Sequence, residues 1–211
     1  MCPAVSYSIY GHVVELDKLA AIIGSKDKGA AGRIAKAELW GTPVSRRWAA
    51  IDELDEDAEI TCREALDDMV FGRKPRRNHT FLYVYALETL CKVYGHRVGD
   101  RCVQQTWFQE GTSASWLSSY DLALSKAGVS NVLDELYGPL KKTKAVPLPL
   151  SIHSREWPYV ALVPHEKCQK ARASMVGGIG KVKPEYREAA MEIYMWLGEV
   201  GHGDLLAMFY Y

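Results

Sequence analysis

No single sign of charge dominates this chain. Its 26 lysines and arginines cancel 26 aspartates and glutamates, so no global field draws it to nucleic acid or to an anionic membrane. Long apolar runs are missing as well: none approaches the roughly 18 residues a membrane span requires. The first residues offer neither a basic start nor an unbroken apolar core, because Ser6 and Ser8 interrupt it. No signal peptide is expected. Cysteines are few and scattered. There are five, Cys2, Cys62, Cys91, Cys102 and Cys168, and an odd count without any C-x-x-C argues against a disulfide framework or a zinc site. Cys62 and Cys91 fall in apolar helical patterns, where a thiol serves as a small buried hydrophobe. The expectation is a reduced, cytoplasmic chain with free thiols.

The motifs of common chemistries are missing too. Gly177-Gly178-Ile179-Gly180-Lys181 invites a phosphate-loop reading, but Met175 stands where the leading glycine belongs and Val182 where Ser or Thr must meet the magnesium. There is no G-x-S-x-G; Gly111-Thr112-Ser113-Ala114-Ser115 is the nearest approach and does not fit it. No two of the six histidines stand at i, i+4, so no zincin-type helix is present and no metal or cofactor is expected.

What is present is the patterning of a globular chain whose 211 residues suit one domain. Val5, Tyr7 and Ile9 alternate with serines as in a half-buried strand. Leu16, Leu19, Ala20 and Ile23 predict a helix over Glu15–Ile23 closed by Gly24, and a further helix from Ser25 to about Leu39. Ala58, Cys62, Ala65, Leu66, Met69 and Val70 share a helical face that stops at Gly72. The acids crowded between Asp52 and Asp68, and the bases just beyond, complement that helix's dipole. Thr80–Tyr94 is apolar almost all round, as a buried helix must be, although the aromatic and β-branched residues of Phe81–Tyr85 also suit a strand. Ser113 or Ser115 caps a helix carrying Trp116, Leu117, Tyr120 and Leu124, and Val132, Leu133 and Leu136 extend a short one.

Strands are expected at Val146–Ile152 and Tyr159–Val163, and a helix from Pro164 to Met175, followed by a glycine loop. Pro184 opens the best helix, with Tyr186, Ala189, Ala190, Ile193, Leu197 and Val200 on one stripe and Glu192 off it. The final apolar run Leu205–Tyr211 reads as a terminal strand buried in the fold. The whole is α+β: a helix-rich single domain around a small, mostly antiparallel sheet that includes the N- and C-terminal strands.

Two places gather binding-type residues at turns. Arg73, Lys74, Arg76 and Arg77 form a basic stretch able to grip an acidic protein or phosphates, although a solvated inter-helix loop explains it more simply. Arg155 and Trp157 stand between two expected strands, and both residue types are frequent at binding hot spots.

Ser6-Tyr7-Ser8-Ile9-Tyr10, Glu15-Leu16-Asp17-Lys18-Leu19, Gly24-Ser25-Lys26-Asp27, Tyr85-Ala86-Leu87-Glu88-Thr89-Leu90-Cys91, Pro147-Leu148-Pro149-Leu150, Trp196-Leu197 and Phe209-Tyr210-Tyr211 together resemble a group of uncharacterised bacterial single-domain proteins, with a more distant likeness to the YfbM-like proteins. The resemblance implies a bacterial cytoplasmic α+β domain and brings no catalytic residues. The leading expectation is a non-enzymatic interaction module, of accessory or immunity type, whose partner is another protein and not a membrane. An enzyme with a site assembled from dispersed residues such as Glu88, His153 and Arg155 is the alternative, and a nucleic-acid binder using the basic stretch ranks third.

Overall fold

A computed structural model describes residues 8–53, 58–76, 80–99, 108, 113–133 and 158–211. The elements in chain order are β1 (Ile9–Glu15), α1 (Leu16–Ala20), α2 (Ala30–Lys36), β2 (Glu38–Leu39), β3 (Thr42–Pro43), α3 (Val44–Asp52), α4 (Cys62–Val70), α5 (Thr80–Tyr94) and β4 (Gly95–Arg97). They continue with α6 (Ala114–Lys126), β5 (Tyr159–Pro164), α7 (His165–Gly178), a 3-10 turn at Ile179–Lys181, α8 (Pro184–Glu199) and β6 (Asp204–Tyr210). The small antiparallel sheet has the strand order β4-β1-β6-β5, so the fold is α+β with the N- and C-terminal strands side by side. Ser8 and Tyr211 exchange both backbone hydrogen bonds, each 2.9 Å, as a closely spaced antiparallel pair does.

β6 explains its own composition. It is paired on both edges, and Leu205 to Tyr210 are each at most 3% exposed. A central strand covered on both faces needs a continuous apolar run instead of alternation, and this one runs to the end of the sequence. The expected strand over Val146–Ile152 lies outside the described residues, as do Val5 and Tyr7.

The chain divides into two compact units. The first takes residues 1–13, 97–146 and 160–211 and holds most of the sheet. Within it α7 packs on α8 and β6, and α6 packs on α8. Phe108, Trp116, Tyr120, Tyr186 and Trp196 form an aromatic cluster in which Trp116 stacks on Tyr120 at 5.3 Å. Glu192, expected off the apolar stripe of α8, is in fact buried. The glycine loop expected after Met175 is helix instead, since α7 runs through Gly177 and Gly178. A Cβ on Gly178 would lie 2.5 Å from Val129 Cγ2 and 3.0 Å from the Ala127 carbonyl oxygen, so the glycine serves close packing within the helix.

The second unit takes residues 14–96 and 147–159. α5 is its core: nine of its residues are buried, including Glu88 and Thr89. α4 packs along it and begins at a capping box in which Thr61 and Glu64 satisfy each other's backbone amides. That box places the helix start at Cys62, later than the apolar face from Ala58 suggested. α2 is also shorter than expected: it covers Ala30–Lys36, and the segment to Leu39 belongs to a hairpin, β2-β3. Asp27 accepts from the Gly29 amide at 2.8 Å, which satisfies a turn ahead of α2 instead of a longer helix.

Candidate functional site

The β2-β3 hairpin pairs Glu38 with Pro43 and Leu39 with Thr42, leaving Trp40-Gly41 as a two-residue loop. Such a loop follows the strand twist when both central residues have positive φ. Gly41, at φ 72°, does so freely; Trp40, at φ 53°, does so at a cost, because its Cβ crowds the carbonyl. The residue thus held out is 63% exposed, among the described large apolar residues second to Val176.

Two cations lie near the Trp40 ring. The Arg47 guanidinium carbon lies 4.7 Å from its centroid and Lys92 Nζ lies 5.6 Å from it. Each contact contributes about 0.5–1 kcal/mol at an exposed site, enough to steady the ring without burying it. Both cations stand on fixed elements. Arg47 is on α3, whose Trp48 Nε1 donates to Thr89 Oγ1 on α5 at 3.1 Å, while that hydroxyl donates to the Tyr85 carbonyl at 2.9 Å. Lys92 is on α5, where Glu88 neutralises it at 2.8 Å. Arg47 has no carboxylate partner among the described residues, and its Nε is buried without an acceptor.

The basic stretch is a different construction. Asp68, near the end of α4, is 4% exposed. It accepts from Tyr83 Oη at 2.7 Å and from Arg73 Nη1 at 3.0 Å, and Arg76 Nε stands 3.6 Å away. The Arg76 amide donates to Tyr83 Oη at 3.2 Å. Burial, and then the Asp68 carboxylate, push the Tyr83 hydroxyl up to about 12. Arg73 and Arg76 therefore close the connection between α4 and α5 onto a buried acid. Lys74 is exposed and makes no such contact among the described residues. Arg77, Arg155, Trp157 and His153 lie outside the described residues, so of the dispersed enzyme set only Glu88 is placed, paired with Lys92.

The described thiols are poor nucleophiles. Cys62, Cys91 and Cys168 are free and buried. Burial pushes all three up, Cys168 to about 12, helped at Cys62 by Asp52 and at Cys91 by Glu88, whereas a reactive thiol needs a lowered value. Among the described residues no three His, Cys, Asp or Glu side chains are placed to hold a metal ion.

The Trp40 loop was missed in the sequence because its strands are two residues long. Its signal is Leu39-Trp40-Gly41-Thr42-Pro43: a residue plus glycine between strand formers, then a proline that no helix interior accepts.

These features define an α+β protein whose distinctive exposed feature, among the described residues, is an aromatic hairpin tip beside two cations. The chain belongs to the family described as Domain of unknown function (DUF7691), whose model matches residues 5–211. No curated protein and no solved structure matches it.

Proposed function

We propose that this protein is a non-enzymatic interaction module that contacts another protein through the Trp40 hairpin. One observation carries the reading: a tryptophan held in a strained backbone conformation with 63% of its surface in water. Strain of this kind persists where the surroundings enforce it, and it clusters at binding and active sites. Tryptophan and arginine together are the residues most enriched at binding hot spots. The setting we propose is bacterial and cytoplasmic, with an accessory or immunity-type role exerted by covering a partner. The buried free thiols suit a reducing compartment, and no helix among the described residues is long and apolar enough to cross a membrane.

The experiment is affinity capture from the native host with the wild-type chain and with Trp40→Asn, followed by binding kinetics. A protein bound by the wild type and released much faster by the variant supports the reading, since interface substitutions act mainly on dissociation. Equal capture by both forms, or turnover of a small molecule by the purified chain, overturns it.

A further inference from the structure

We infer that the partner segment received at the Trp40 hairpin is acidic, with a carboxylate on the Arg47 guanidinium and an apolar side chain on the open face of the Trp40 ring. This rests on the reading of that surface as a protein-interaction site.

The charges around the ring are unequal in kind. Lys92 is already neutralised by Glu88 at 2.8 Å and keeps little capacity for a second acid. Arg47 has no carboxylate partner among the described residues. Its guanidinium lies 4.7 Å from the indole centroid, and its Nε is closed off from water without an acceptor. Among the described residues the cation has thus lost part of its hydration and gained no anion. An arriving carboxylate gains the Coulomb attraction while part of the desolvation has been met in folding. The guanidinium is also held in place by the ring, and a planar fork held in place favours a two-point contact with a carboxylate. Arg46, next along α3, is exposed and adds positive charge, while Glu38 is the exposed acid of the hairpin.

A nucleic-acid strand offers similar chemistry, with phosphates for arginine and bases to stack on tryptophan. The surface does not favour it. Phosphate-backbone binding draws on several aligned cations, and here, among the described residues, one stands unpaired at the ring, in a chain of net charge zero.

Random short peptides displayed on phage and selected on the full-length chain give the test. The best binder is then titrated by fluorescence anisotropy against wild type, Trp40→Asn, Arg47→Gln and Arg47→Lys, with single-stranded oligothymidylate as a second probe and melting curves as folding controls. Selected peptides should be rich in Asp and Glu beside an aromatic or aliphatic residue. Arg47→Gln should weaken binding about tenfold or more, as loss of a charge-assisted hydrogen bond does, and should flatten its salt dependence. Arg47→Lys should restore the salt dependence but not the full affinity. Recovery of no acidic peptide, or unchanged affinity in Arg47→Gln while Trp40→Asn loses binding, overturns the acidic partner and leaves the interaction surface standing. Full binding by Trp40→Asn overturns the surface itself. Oligothymidylate bound by wild type and lost in Arg47→Gln overturns the acidic partner in favour of nucleic acid.

Discussion

Trp40 shows how far one residue can depart from what its backbone prefers. Asparagine tolerates positive φ, and Asn-Gly is the favoured pair for a two-residue hairpin loop. Trp40→Asn should therefore relieve about 1 kcal/mol of backbone cost while forfeiting about 0.5–1 kcal/mol of cation–π attraction. The expected melting temperature is unchanged or slightly higher, measured by calorimetry, although binding is lost. A marked drop would mean that the indole supports the fold instead of serving a partner.

At the scale of elements, the connection from α4 to α5 is set by one buried carboxylate. Tyr83→Phe removes its shortest donor and should cost about 1–3 kcal/mol in urea unfolding, since a buried acceptor is left short of a partner. Arg76→Glu places a second carboxylate against Asp68 and should destabilise by more than about 1 kcal/mol. Lys74→Glu, two residues away and without a hydrogen bond or ion pair among the described residues, should stay within about 0.5 kcal/mol of wild type. Equal effects at Arg76 and Lys74 would show that the ion pair with Asp68 contributes nothing. The distinction is invisible in the sequence, where both are bases in one stretch.

For the whole molecule, the buried thiols and phenols set an alkaline limit. Unfolded cysteine and tyrosine lose their protons near 9.0 and 10.0, whereas burial pushes Cys168 and Tyr83 up to about 12 and raises Cys62, Cys91 and Tyr120 as well. The unfolded chain then binds fewer protons than the native one between these values. Stability is fully present below pH 9 and falls as pH rises toward 12. Urea midpoints measured from pH 8 to 11 should decline, steeply above about pH 10; a flat profile would contradict the burial. Deleting Met208–Tyr211 should abolish cooperative unfolding. Met208, Phe209 and Tyr210 are each at most 3% exposed, and such side chains contribute roughly 1.5–3 kcal/mol apiece against a total of about 5–15. An unchanged melting curve would overturn the central placing of β6.

Regularity decided what could be read directly. The helix over Thr80–Tyr94 matched its expected end residues, because a run apolar all round has only the interior to occupy, and its length excludes the strand that Phe81–Tyr85 alone also suited. Tyr159–Val163, the Pro184 helix and the terminal strand were legible from period, proline and length, and with them the α+β class. The tertiary structure alone decided what depends on partners distant in sequence. Position 178, within a helix, must be glycine because Val129 and Ala127 press against it. Glu192 is buried although its stripe position points outward. Asp68 gathers two arginines and a tyrosine from beyond its own helix. Trp40 stands exposed because a two-residue hairpin lifts it, and Arg47 and Lys92 reach it from separate helices. Local pattern fixes which face of an element seeks the core; which side chains meet across elements is settled only when the chain closes on itself.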